Sequence, residues 1–141
     1  MRGKTEFDRW FGASKVVYRD KPLLMWHGTT KKFTVFDKSF LAPSGAYGPG
    51  FYFTSDYELA KMYSGDGEPV PAYLSIKKPW TQDRDEPYDS PRHRSFRGMS
   101  GQLRKKGYDG VLVIEGNYRE AVALEPEQIM IVTGAPFQRS R

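Results

Sequence analysis

The sequence predicts an α+β domain in which mostly antiparallel strands form two packed sheets, with short helices inserted between them. Apolar runs of a few residues recur along the chain and are bounded by glycine, proline and asparagine, which is typical of short strands. Apolar residues at helical spacing occur in three short segments. The Gly116-Asn117 pair lies between two apolar runs and predicts a β-hairpin. No linker divides the chain, so we expect one domain over residues 1–141.

The helices are predicted from apolar spacing and from the residues at their ends. The first spans 7–11 and ends at Gly12. The second begins after Ser55 or Asp56 as N-cap. The third runs from about Met99 to Lys106, with cations in its last turn.

The strands are predicted where β-branched, aromatic and other apolar residues cluster between turns. Residues 81–98 are polar and poorly periodic, and they predict a long loop. We expect the tail from Gly134 to be frayed. The predicted strands are 16–18, 23–26, 50–54, 72–76, 111–114, 119–124 and 128–132.

Composition narrows the chemistry. The chain has no cysteine, which excludes disulfides and thiolate metal sites, and its two histidines make a multi-histidine metal site unexpected. No apolar run reaches membrane-spanning length, so we expect no membrane partner. The formal charge of +5 favours anionic partners such as nucleic acid or phosphorylated ligands, although a merely soluble basic domain would carry it too.

One stretch brings candidate functional side chains together. A predicted strand ends at His27, the next strand carries Tyr52, and the helix after it carries Tyr63. We expect these three side chains to face a common cleft. Glu120 is a charged residue at the start of an otherwise apolar strand. Each has a bland alternative: a structural histidine, two core aromatics and an exposed carboxylate at a sheet edge.

Taken in order, these segments resemble the His-Tyr-Glu class of ADP-ribosyltransferases, to which diphtheria-type toxins and poly(ADP-ribose) polymerases belong. The resemblance implies the ADP-ribosyltransferase (PARP-like) fold from about Phe7 to Ile131. The wider frame is similar to small transferase domains of bacterial and phage polyvalent proteins and polymorphic toxins. The class motifs are His27-Gly28-Thr29, Gly50-Phe51-Tyr52-Phe53, Tyr63 and Glu120 before Pro126-Glu127-Gln128-Ile129; the wider frame adds Trp10-Phe11-Gly12, Ser14-Lys15-Val16-Val17, Lys77-Lys78-Pro79 and Gly107-Tyr108-Asp109-Gly110.

The resemblance implies NAD as co-substrate and no metal. Cleavage of NAD passes through an oxocarbenium-like state, so the site must hold nicotinamide flat and place a negative charge near the ribose. His27 would bond the adenosine ribose, the Gly28 backbone the nicotinamide amide, and Glu120 the 2′-hydroxyl of the reacting ribose. Tyr63 and Tyr52 would pack on the two sides of the nicotinamide ring. The implied NAD-binding residues are His27, Gly28, Thr29, Tyr52 and Tyr63, and the implied catalytic residues are Glu120, His27 and Tyr52.

Two positions depart from the pattern of the class. Arginine-modifying relatives carry Glu or Gln two residues before the catalytic Glu, where this chain has Tyr118, which disfavours arginine as the acceptor. Relatives often place serine three residues before the stacking tyrosine, where this chain has Ala60.

The favoured function is a mono-ADP-ribosyltransferase acting on RNA or protein with release of nicotinamide, as a toxin or effector domain of a larger bacterial or phage protein. The alternatives are an NAD glycohydrolase and an inactive nucleic-acid-binding module. We expect a monomer that acts in the cytoplasm after delivery into a target cell, with an immunity protein as a further partner. The candidate acceptor-binding cations are Arg94, Arg97, Lys105, Lys106 and Arg119.

Overall fold

The computed structural model describes residues 5–28, 50–87 and 102–132. Within these ranges the chain forms two α-helices, nine short strands and one 3-10 helix. The elements are α1 (Glu6–Phe11), β1 (Val17–Tyr18), β2 (Lys21–Pro22), β3 (Met25–His27), β4 (Phe51–Thr54), α2 (Tyr57–Ser64), β5 (Val70–Leu74), β6 (Pro79–Asp83), β7 (Gly110–Glu115), β8 (Tyr118–Ala123), the 3-10 helix (Pro126–Gln128) and β9 (Ile129–Ile131).

Seven of the strands form one sheet in the order β6-β7-β8-β4-β3-β5-β9, and β1 and β2 form a separate antiparallel pair. In the large sheet β6 and β7 run parallel, and the remaining neighbours are antiparallel. β3 and β4 are joined by a single register pair, Trp26 with Thr54. This pair divides the sheet into a first half, β6-β7-β8-β4, and a second half, β3-β5-β9.

The two halves pack against each other. A Cβ added to Gly110 on β7 would lie 2.8 Å from Cγ2 of Ile76, which follows β5, although three strands separate β7 from β5 in the sheet order. The sheet therefore folds over itself at the β3–β4 junction. The α+β class and the two packed layers are confirmed, and the two layers are halves of one hydrogen-bonded sheet. Their shared core contains Val16, Met25, Phe51, Phe53, Ala72, Leu74, Ile76, Leu112, Ala121 and Ala123.

A second cluster covers the other face of the first half. Side chains on β7 and β8 alternate between the two faces, so their neighbours in sequence to the shared core form this cluster. The second cluster contains Trp80, Leu103, Val111, Val113, Val122 and Leu124, with Tyr52 and Tyr108 packed against it.

The Gln128 side chain connects the two halves at the end of β8. Its Oε1 accepts hydrogen bonds from the backbone N–H groups of Leu124 and Glu125, each at 2.9 Å. Its Nε2 donates to the carbonyls of Asp109 at 2.8 Å and Ser75 at 3.4 Å. All the main bonding capacity of the amide is therefore used within the fold.

Other stretches that resemble the transferase domains also have structural roles. The Asp109 carboxylate accepts hydrogen bonds from the backbone N–H groups of Lys77 and Lys78 at 2.9 and 2.8 Å. The Trp10 indole donates to the carbonyl of Glu127 at 2.8 Å and so attaches α1 to the 3-10 helix. These recurring residues position backbone segments and do not contribute to the cleft chemistry.

Two element predictions are wrong within the described residues. Residues 79–83 form β6 beside β7, where the sequence predicted a loop from 81 onward. The polar Thr81-Gln82-Asp83 segment hides this strand, because its ladder to β7 and the buried Trp80 stabilise it instead of an apolar alternation. Residues 103–107 form turns and not the end of a helix. The beginning of that predicted helix and the tail from Gly134 lie outside the described residues.

Candidate active site

His27 lies at the end of β3, and its ring has a defined tautomer. Its Nδ1 is 2.8 Å from the backbone carbonyl of Tyr52. A carbonyl oxygen accepts and cannot donate, so Nδ1 carries the hydrogen and Nε2 is an acceptor. Burial lowers the pKa of His27, against an opposing effect of the bond to Tyr52, which favours the neutral ring. His27 therefore suits a ligand group that donates, such as a ribose hydroxyl.

Gly28 is the point where β3 meets α2. A Cβ at this position would overlap the carbonyl oxygen of Ala60 and lie 2.9 Å from Cβ of Tyr63. The close approach requires glycine because the obstructing atoms belong to the helix backbone and to the base of a side chain. It also places the Tyr63 side chain next to the Gly28 backbone.

The Tyr63 side chain points outward from α2. It is 69% exposed, whereas the buried residues of the helix are Ala60 and Ser64. This exposure excludes the alternative that Tyr63 is a core aromatic. An exposed ring beside the glycine backbone is what stacking on a flat ligand requires.

Tyr52 has two structural contacts. Its backbone carbonyl orients His27, and its ring packs against the second cluster. The ring is therefore partly a core group, and its contact with nicotinamide stays a prediction.

Glu120 lies beside the junction between the two halves. It is the cross-strand partner of Thr54, which in turn pairs with Trp26. β8 is flanked by β7 and β4, so the alternative of a carboxylate on an edge strand is wrong. Burial raises the pKa of Glu120, and the Arg84 cation opposes this effect. Within the described ranges no hydrogen bond from a neighbouring group reaches its carboxylate, which leaves both oxygens for a ligand.

Tyr118 lies two residues before Glu120 on β8, so both side chains project from the same face of the strand. The Thr54 hydroxyl bonds the Tyr118 phenol at 3.3 Å, and the Asp56 N–H donates to the Thr54 hydroxyl at 3.0 Å. Burial is the main cause that raises the pKa of Tyr118, with a further contribution from Glu120. The phenol therefore stays protonated at neutral pH.

Thr54 and Arg84 belong to this site and were missed in the sequence. Thr54 was read as the last residue of a strand, although a threonine directly before a helix cap is a common hydrogen-bonding position. Arg84 follows β6, the strand that the sequence did not predict. It lies 3.5 Å from the Glu115 carboxylate and its charge acts on both Tyr118 and Glu120.

The structure does not bring the Arg119 guanidinium to the predicted acceptor side. Arg119 donates to the carbonyls of Gly116 and Tyr118 at 2.8 and 2.9 Å, and it lies over the Tyr18 ring. Because it alternates with Glu120 on β8, its side chain leaves the opposite face of the strand.

The other predicted cations lie further away or outside the described residues. Lys105 and Lys106 are exposed in the turn before β7. β7 begins opposite Ala123, three residues along β8 from Glu120, which corresponds to roughly 10 Å. Arg94, Arg97 and the predicted NAD-binding residue Thr29 lie outside the described residues.

Two further classes of site were considered. Among the residues of 5–28, 50–87 and 102–132, no group of three His, Asp or Glu side chains could hold a metal ion. No helix in this part of the chain is long and apolar enough to cross a membrane.

Comparison with known proteins adds one finding. A family model described as ADP-ribosyltransferase in polyvalent proteins matches residues 19–138. The matched range contains His27, Tyr52, Tyr63 and Glu120. No curated protein matches the chain.

Proposed function

Because the chain belongs to the family of ADP-ribosyltransferases in polyvalent proteins, we propose that it transfers a single ADP-ribose from NAD to a macromolecular acceptor and releases nicotinamide. The observation that carries this proposal is the convergence of four segments at the β3–β4 junction. β3 brings His27 and Gly28, α2 brings Tyr63, and β8 brings Glu120 opposite Thr54 on β4.

The residues present suit NAD as substrate. The Gly28 position leaves no room for a side chain and keeps its backbone close to Tyr63, which fits an amide-bearing flat ring held between backbone and aromatic face. The His27 tautomer offers an acceptor to a sugar hydroxyl. These features support binding of the nicotinamide and adenosine ends by one continuous surface of β3 and α2.

Glu120 supplies the charge that the reaction needs. As the bond to nicotinamide breaks, positive charge develops on the ribose, and a nearby carboxylate stabilises that state more than the ground state. Its half-buried position strengthens the interaction, because water screens it less than at the surface. Arg84 lowers the pKa of Glu120, which helps to keep the carboxylate ionised at neutral pH.

We favour RNA over protein as the acceptor because of the net charge of +5 and the exposed Lys105 and Lys106. Charge reversal at Arg94, Arg97, Lys105 and Lys106 should abolish labelling of RNA and its salt dependence, while nicotinamide release persists. Lys21→Glu, an exposed change on β2, is the matched control and should leave labelling intact. Label that appears on protein alone, in a lysate with abundant intact RNA, would replace RNA by protein.

The biological setting follows as part of the same proposal. A family defined within polyvalent proteins suits a toxin or effector domain of a larger protein. We further propose that the domain acts as a monomer in the cytoplasm of a target cell and that an immunity protein restrains it.

The activity is tested with NAD labelled in the adenylate phosphate. Tyr63→Ala should weaken NAD binding roughly tenfold to a hundredfold, since base stacking on one aromatic contributes about 1–3 kcal/mol. Met62→Ala is the matched control, because Met62 is the neighbouring residue on α2 and is 78% exposed. Equal NAD affinity in both variants would contradict the stacking site. Absence of any NAD turnover by the unmutated chain would favour an inactive binding module.

A further inference from the structure

Tyr118 and Glu120 form a polar pair beside the junction that binding of NAD does not fully use. Both side chains project from the same face of β8, on one side of the Trp26–Thr54 register pair. The surrounding charged groups are Arg84 after β6, Glu115 on β7 and Asp56 before α2.

The hydrogen-bond direction at Thr54 determines what Tyr118 offers. Thr54 is 8% exposed, and its oxygen accepts from the Asp56 N–H. Among the described residues, the Tyr118 phenol is the partner left for the Thr54 hydroxyl hydrogen. If Tyr118 donated instead, that buried hydrogen would have no acceptor, which costs about 1–3 kcal/mol. Thr54 therefore donates, and the phenol hydrogen of Tyr118 points away from it.

The pair thus presents a donor and an acceptor to the same space. The phenol of Tyr118 offers a hydrogen, and the Glu120 carboxylate offers lone pairs that no described neighbour uses. A carboxylate has two oxygens, so one can bond the ribose hydroxyl while the other bonds a second molecule. Water matches this arrangement, because it can accept from Tyr118 and donate to Glu120 at once.

We propose that the site also hydrolyses NAD, with Tyr118 holding the attacking water against Glu120. This inference rests on the proposed use of NAD by the same site. The water oxygen forms a bond to the anomeric carbon of the nicotinamide ribose. The bond from that carbon to the nicotinamide nitrogen breaks, and its electron pair leaves with nicotinamide. The water proton passes to the Glu120 carboxylate, and the products are ADP-ribose and nicotinamide.

The proton transfer gives the activity a pH signature. Hydrolysis requires the ionised carboxylate, so its rate rises with pH through the pKa of Glu120, which burial raises. The Tyr118 phenol stays protonated over the same range, since its pKa is raised as well. Loss of the phenol should therefore lower the plateau of the pH profile and leave its acid limb in place.

The test measures release of free ADP-ribose from NAD without acceptor, for the full chain and four variants. Tyr118→Phe keeps the ring and removes the donor, and it should lower kcat for hydrolysis about tenfold to a hundredfold with KM for NAD unchanged. Thr54→Val should lower kcat too, whereas Thr54→Ser should restore it because the hydroxyl remains. Glu120→Gln should abolish hydrolysis.

The outcomes separate this inference from the proposed function. If Tyr118→Phe hydrolyses NAD at the unmutated rate while Glu120→Gln does not, Tyr118 does not hold the water and the inference is overturned. If nicotinamide is released solely when acceptor is present, the hydrolytic activity is absent, although the transferase proposal stands. If Glu120→Gln keeps full activity in both assays, the proposed function itself fails.

Discussion

Replacing Gly28 by alanine perturbs the closest contact at the candidate site. The added Cβ would overlap the Ala60 carbonyl oxygen and lie 2.9 Å from Cβ of Tyr63 and 3.2 Å from the Ala60 carbonyl carbon. Ordinary Cβ contacts begin at 3.4 Å, so α2 must retreat by at least 0.5 Å from Tyr63 alone, and further to clear the Ala60 oxygen. A shift of this kind in a packed element costs about 1–3 kcal/mol.

The displacement should affect NAD binding in addition to stability. Tyr63 moves with α2, so it would no longer lie at stacking distance from a ring bound against the Gly28 backbone. Loss of part of a stacking energy of about 1–3 kcal/mol corresponds to an NAD dissociation constant raised roughly tenfold. Calorimetric titration with NAD, together with thermal unfolding, measures both effects.

Gly107→Ala serves as the control for this experiment. Gly107 lies in the turn before β7 with a φ of +90° and no atom within 4 Å of an added Cβ. Its replacement strains the backbone by about 1–2 kcal/mol but should leave NAD affinity unchanged. If Gly28→Ala bound NAD as tightly as the unmutated chain, the position of Tyr63 against Gly28 would have no role in binding.

The remaining predictions concern stability. Gln128→Ala removes four hydrogen bonds and should lower the free energy of unfolding by about 2–4 kcal/mol and Tm by roughly 10 °C, whereas Glu127→Ala, at an exposed side chain, should leave Tm almost unchanged in the same scans. Because the pKa of His27 is lowered in the fold, the unfolded chain takes up the proton first as pH falls below about 6.5; the free energy of unfolding should therefore decline on acidification, and less steeply in His27→Gln, as urea titrations at pH 7.5 and 5.5 can show. Parallel slopes in the two proteins would contradict the burial of His27. Because the pKa of Glu120 is raised, its contribution to stability is present at low pH and lost as pH rises through that pKa, so Glu120→Gln should be at least as stable as the unmutated chain at pH 7, and a clear loss of stability there would contradict the desolvation of this carboxylate.

The sequence predicts the outline of the site because the relevant residues follow local patterns. His27 comes at the end of an apolar strand, and Asp56 caps a helix that carries Tyr63. Such features depend on residues close in the chain. The hairpin at Gly116-Asn117 is predicted for the same reason, and the observed register pairs Glu115 with Tyr118 around it.

What the sequence does not predict depends on distant partners. β6 is stabilised by its ladder to β7, which begins 27 residues after the end of β6. Without that strand, Arg84 could not be placed near Glu120. The direction of the Arg119 side chain depends on the alternation of β8 between two faces, and a sequence pattern does not show which face carries the cleft.

The central role of Glu120 is tested most directly by Glu120→Gln in a single-turnover assay with labelled NAD. The change keeps the shape of the side chain and removes its charge, so NAD affinity should stay within about twofold while nicotinamide release and transfer of label fall about a hundredfold or more. A calorimetric titration on the same sample confirms that binding persists. A rate of nicotinamide release close to that of the unmutated chain would contradict the account of this site.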